Sequence, residues 1–139
     1  MPVTDIYSQL RRDEDVRKFP YTDTAGKLTI GVGHNLTDKG LSDAAIDFIL
    51  EEDINDVIDE LNVELPWVED IGAERSSVIL NMAFNLGVTK MKGFTKFLQA
   101  ARVGDWETAA NEMRDSEWAR QVGDRAVRLE QQMRTGAWV

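Results

Sequence analysis

Residues 19–33 read FPYTDTAGKLTIGVG, and this stretch breaks the helical rhythm that runs through the chain on either side of it. The segment FPYTD, the turn TAGK and the segment LTIGVG form the pattern of a β-hairpin, two short apolar–polar runs joined by a Gly-containing loop. A third short strand or turn is expected at Asn35–Thr37. Along LTIGVG successive side chains point to opposite faces. Leu28, Ile30 and Val32 then share a face suited to packing. Thr29, Gly31 and Gly33 share one that is nearly bare beyond the Thr hydroxyl, which leaves room for a ligand close to the backbone.

The surrounding chain is helical. Thr4 or Asp5 can cap a first helix running to about Glu14, with Ile6 and Leu10 on one stripe. Ser42 caps a long helix carrying Ile46, Ile49, Leu50, Ile54, Val57, Ile58 and Leu61 at helical spacing, and Pro66 ends it. Glu74 to Leu86 is apolar almost all round, as a central core helix would be, and Gly87 closes it. Further helices are predicted at Thr95–Val103, Asp105–Asp115 and Asp124–Arg134, separated by Gly104, Ser116 and Gly123. The fold class is α+β: a small hairpin lobe at about 15–60, and a helical lobe at about 61–139 to which helix 4–14 is assigned, joined by the long helix.

Charge narrows the function. Of the net −9, residues 1–60 hold 14 acids against 6 bases, and Asp43 to Glu60 holds eight acids and no base. A nucleic-acid partner would need a basic patch, so none is expected; the acid run reads as a solvated helix face. There is no cysteine and one histidine, His34, so no disulfide framework, thiol nucleophile or histidine-rich metal site is available. No apolar run is long enough for a signal peptide or a membrane span. Cytoplasmic synthesis without stable membrane insertion is the expectation.

Three side chains carry chemistry. Residues 6, 10 and 14 fall at i, i+4 and i+8, so Glu14 continues the stripe of Ile6 and Leu10. A carboxyl withdrawn from water there favours its protonated form, as a general acid requires. The bland alternative is a helix-end Glu pointing to solvent. Asp23 precedes the hairpin turn and can stand near Thr29 across it; its bland alternative is a turn Asp holding its own loop. Taken together, an acid, a second carboxylate and a hydroxyl suit glycoside hydrolysis, in which one carboxyl protonates the leaving oxygen and the other works from the opposite side of the sugar.

The unit Glu-x8-Asp-x5-Thr followed by IGVGH resembles the phage-type lysozymes, glycoside hydrolase family 24. Other anchors are LRRDE at 10–14, NMAFNLG at 81–87, KGFTKFL at 92–98 and DRAVRLEQQMRTGAW at 124–138. The resemblance implies a two-lobed fold with a cleft between the lobes. It also implies cleavage of the β-1,4 bond between N-acetylmuramic acid and N-acetylglucosamine in peptidoglycan, with inversion, and Glu14, Asp23 and Thr29 as the catalytic residues. Arg125 is expected to pair with Glu14 and Arg128 with Asp13, where proximity of an arginine would oppose the effect of burial on Glu14; ordinary surface pairing is the alternative. Gly31, Phe84, Asn85 and Phe94 are candidate substrate contacts, with Asn85 matched to an N-acetyl group and a core role open for both phenylalanines. His34 is expected to be a structural, hydrogen-bonded residue. The resemblance further implies a monomeric endolysin made in the host cytoplasm, reaching periplasmic peptidoglycan through a separate holin.

Other motifs fail. GVGHNL lacks the last Gly of GxGxxG and opens no Rossmann helix. GKLT is an incomplete P-loop. The acids between 51 and 60 lie within one helix rather than in a calcium loop, so no cofactor or metal is implied. Most of the four Trp read as core or domain-end packing. A lytic transglycosylase would need the acid but leave Asp23 and Thr29 unexplained. A catalytically silent wall-binding module would not need all three.

Overall fold

The computed structural model describes residue 2 and residues 4–139. Its contacts divide the chain into two compact units, Met1–Ile49 and Leu50–Val139, with the division falling inside a long helix. The α+β class is as the periodicities predict.

The first unit holds α1 (Ile6–Glu14), β1 (Arg17–Thr22), β2 (Leu28–Gly31), β3 (His34–Asn35), α2 (Leu36–Lys39) and the start of α3 (Asp43–Glu64). Asp5 is the cap of α1: its Oδ1 accepts the Ser8 backbone N–H at 2.7 Å. That bond satisfies one of the free donors of the first turn, and the same N–H holds the Asp5 carboxyl below the ordinary carboxylate range. The three strands form an antiparallel sheet in the order β1-β2-β3, with Tyr21 opposite Thr29 and Ile30 opposite His34. The β1–β2 register shifts between Arg17 and Tyr21. Pro20 lies in this interval, on an edge strand, where a missing N–H is tolerated.

The expected packing face of the hairpin is corrected by the structure. Leu28 is exposed and Thr29, on the opposite face, is the buried residue of β2, at 3% exposure. The reason lies in α2, which packs against β2 and is pinned there by its own cap, Asn35 Oδ1 accepting the Asp38 N–H at 3.0 Å.

The second unit carries the hydrophobic core. After α3, whose buried residue is Leu61, a 3-10 turn at Pro66–Asp70 leads into α4 (Ala73–Leu86), α5 (Val88–Met91), α6 (Thr95–Arg102), α7 (Trp106–Arg114), α8 (Glu117–Val122) and α9 (Asp124–Thr135). Val78, Ile79, Met82 and Ala83 of α4 are buried with Met91, Phe97, Ala101, Met113, Trp118 and Met133. Each large side chain among them contributes roughly 1.5–3 kcal/mol of transfer free energy. Trp118 is core, whereas Trp138 is exposed. Trp106 is half-buried beneath Arg75, whose guanidinium carbon lies 4.2 Å from the ring centroid. Arg75 also donates to the carbonyls of Met133 (2.8 Å) and Arg134 (3.2 Å), satisfying acceptors that the end of α9 leaves free. A Cβ at Gly136 would stand 2.9 Å from the guanidinium, and the φ of +70° is one that side chains rarely adopt, so this closing turn favours glycine.

Candidate active site

Glu14 is the last residue of α1, and its carboxylate lies over the β2–β3 loop. A Cβ built on Gly33 would stand 3.2 Å from Glu14 Oε2, closer than an ordinary carbon–oxygen contact. Gly33 also has φ +66°, a conformation glycine adopts without steric cost. The acid and the loop are therefore near neighbours, and a side chain at 33 would separate them.

The expected withdrawal of Glu14 from water is not found. No residue of α1 is buried, and Ile6 and Leu10, the rest of the stripe, are 56% and 44% exposed. Position on an apolar stripe withdraws a group only where another element covers that stripe, and none does so among the described residues of the first unit; Glu14 is exposed.

Asp23 follows β1 and opens the turn. Its Oδ1 accepts the backbone N–H of Ala25 at 2.9 Å and of Lys27 at 2.8 Å, while Gly26 N–H donates to its carbonyl at 3.1 Å. The loop-holding role of a turn Asp is thus present, and one oxygen performs it. Oδ2 accepts no hydrogen bond among the described residues, so half of the carboxylate is uncommitted. The Thr29 hydroxyl donates to the Lys27 carbonyl at 2.9 Å. With its proton held there, its lone pairs remain as acceptors, on a side chain that is itself buried. The same carbonyl accepts the Asp23 N–H, also at 2.9 Å. One peptide oxygen therefore ties the carboxylate-bearing residue to the hydroxyl.

The frame around them is polar and local. Thr37 Oγ1 accepts the Leu28 N–H at 2.7 Å, and Lys27 Nζ reaches Asp38 at 3.1 Å. His34 Nε2 lies 2.6 Å from the Gly40 carbonyl; a carbonyl only accepts, so Nε2 carries the proton. Gly31 has φ +69° and open space where a Cβ would be. Asp13 takes its neighbour Arg12 as partner at 2.9 Å, both side chains being exposed. Such a pair contributes little.

In the second unit, Arg125 donates to the Asn81 side-chain oxygen at 2.9 and 2.6 Å and to its carbonyl at 3.2 Å. Arg128 is exposed and enters no ion pair among the described residues. Asn85 Oδ1 accepts the Trp118 indole N–H at 3.0 Å, which leaves the amide NH2 as its free donor. Phe84 is 43% exposed and borders an open groove of about 280 Å³ with Leu50, Ile54, Ser77, Leu80, Asn81 and Arg125. Phe94 is half-buried against the core. Among the described residues no cluster of His, Asp and Glu is arranged to hold a metal.

The model of the family described as phage lysozyme matches residues 11–134. The chain belongs to the phage lysozyme family. The chain is 29% identical to the pre-baseplate central spike protein Gp5 of Enterobacteria phage T4, over 97% of this chain and 28% of that protein. It is 28% and 25% identical to the probable T4-type lysozymes 1 and 2 of Dictyostelium discoideum, over 96% of this chain and 96% of each of them. It therefore spans a little over a quarter of the spike protein's length. Membership of the family supports a lysozyme-type glycosidase.

Two participants escape sequence reasoning. Gly33 reads as part of a bare strand face, and the repeated small residues of GVG were the available signal for a close approach. The Lys27 carbonyl has no sequence signal, since every residue carries one.

Proposed function

We propose that this protein hydrolyses the β-1,4 bond between N-acetylmuramic acid and N-acetylglucosamine in peptidoglycan, with inversion. Glu14 is the general acid that protonates the leaving oxygen. Asp23 is the base, using Oδ2 on a water that Thr29 helps to hold. The observation that carries this reading is the division of labour in the turn. Oδ1 and the Lys27 carbonyl make the structural hydrogen bonds, while Oδ2 and the Thr29 lone pairs are left for a water. A base needs that free oxygen and a positioned water. In an inverting enzyme the water attacks opposite the leaving group. Asn85, through its amide NH2, and Phe84 are proposed to bind sugar N-acetyl and ring surfaces, and Gly31 to let the glycan approach the strand.

The enzyme is proposed to work as a monomer, to be made in the host cytoplasm and to reach the wall through a separate pore-forming holin. A second reading follows from the likeness to the spike protein: the same hydrolase as one module of a larger phage assembly. The mass of the natural polypeptide from infected cells separates the two, about 15.7 kDa for the free enzyme and far larger for the module.

The test of the chemistry is digestion of purified Gram-negative peptidoglycan by the wild type and by Glu14→Gln, with the released ends identified by mass spectrometry and the first-formed anomer by NMR. Reducing ends of inverted configuration, absent with Glu14→Gln, are expected. Anhydro ends would make it a lytic transglycosylase and remove the base from Asp23. Cosedimentation with the wall without cleavage would leave a binding module.

A further inference from the structure

Asp15 has φ 63° and ψ 160°, and among the described residues it alone combines a side chain with positive φ. That combination is one that essentially only glycine occupies at ease, so a residue with a Cβ is strained there. The Asp15 side chain is exposed and makes no hydrogen bond or ion pair among the described residues, so it does not compensate the backbone. The residue sits between the acid and the sheet: α1 ends at Glu14 and β1 begins at Arg17. Because α1 buries no side chain among the described residues of its own unit, packing within that unit does not set the direction in which Glu14 leaves the helix. The short joint does, and it delivers the carboxylate to Gly33.

We propose that Asp15 is a positioning residue for Glu14, its strained backbone acting as a stiff pivot between α1 and β1. The inference rests on Glu14 being the acid of the reaction proposed above. A Cβ narrows the accessible well at residue 15, so the helix end is held within a small angular range. Glycine can take the same conformation free of strain but can also leave it.

The experiment compares Asp15→Gly, Asp15→Ala and the wild type in peptidoglycan digestion and thermal unfolding. Asp15→Gly is expected to raise Tm by about 4 °C through relief of strain. Its kcat should fall about 5- to 10-fold with KM within about twofold, as a misplacement of a fraction of an ångström would produce. A residue with a merely structural role would not pair higher stability with lower kcat. Asp15→Ala keeps the Cβ and is expected to hold kcat within about twofold of the wild type, with Tm at or below it. Unchanged kcat in Asp15→Gly, or no rise in its Tm, overturns the pivot. An equal loss of kcat in Asp15→Ala overturns it too, by giving the role to the carboxylate. No cleavage by the wild type fails the reaction and the pivot with it; a cleaving wild type beside an unaltered Asp15→Gly fails the pivot alone.

Discussion

Replacing Gly33 with Ala separates a structural cost from a catalytic one. The new Cβ would stand 3.2 Å from Glu14 Oε2, so the carboxylate has to retreat by roughly 0.2–0.3 Å to restore an ordinary contact. Glu14 is exposed, so the retreat itself costs little stability. The φ of +66° costs more: an L-residue held in the left-handed region loses about 1–2 kcal/mol. Gly40, in the same unit with φ +58° and open space at its Cβ position, carries the backbone cost without the contact. Gly33→Ala is therefore expected to lower Tm by about 2–6 °C, and Gly40→Ala, with ψ −145° in a region still less open to a side chain, by at least as much. Only Gly33→Ala should lose kcat. If a 1 Å misplacement costs about 100-fold, a retreat of a quarter of that corresponds to about threefold. Steady-state digestion of purified peptidoglycan, with unfolding followed by circular dichroism, measures both quantities. Equal kcat in the two variants would refute the placement of Glu14 over the loop.

Asp23→Asn keeps an acceptor for the Ala25 and Lys27 N–H groups but removes the proposed base, so kcat should fall at least about 100-fold with Tm almost unchanged; a large drop in Tm would show that the charge holds the turn. Thr29→Val should cost about 1 kcal/mol by removing the bond to the Lys27 carbonyl, and Thr29→Ser should restore most of the activity that valine loses. The Asp5 carboxyl is held below its ordinary value by the cap, so its stabilisation is present above the unfolded value of 3.8 and is lost as pH falls through the lower folded value. The Tm gap between the wild type and Asp5→Ala should accordingly be full at pH 7 and close as the solution is acidified below pH 3.8; a gap that persisted there would assign it to helix propensity. The acidic half of the sequence repels an anionic wall polymer, so the initial digestion rate should rise as salt is brought from about 0.01 M to 0.1 M, where the screening length falls to about 10 Å.

Helices with strong caps or a long period were legible in the sequence. Asp5, one of the two caps expected, opens α1, the helix expected from Asp105 begins there with Asp105 as its cap, and α4 needed only its apolar run and Gly87. The missed helices are short: α2, α5 and α8 contain four, four and six residues, too few to show a period. Ser116 reads as a separator, yet its hydroxyl accepts the Ala119 N–H and opens α8. Apolar spacing on α1 and on the first half of α3 was readable, but Ile6, Leu10, Ile46 and Ile49 are exposed. Spacing says which side chains share a face; it does not say whether anything covers that face. In the site, the residue types were readable, whereas the sharing of Asp23 between a structural and a free oxygen and the φ of Asp15 belong to the backbone.

The Lys27 carbonyl has an evolutionary consequence. The group that couples Asp23 to Thr29 is a peptide oxygen, which point substitution cannot delete, and the lysine side chain is occupied elsewhere, with Asp38. Position 27 can therefore drift through almost any residue while the coupling persists. Proline is the exception, because the N–H of residue 27 donates to Asp23. A working site can thus be inherited through a position whose identity carries no trace of its role.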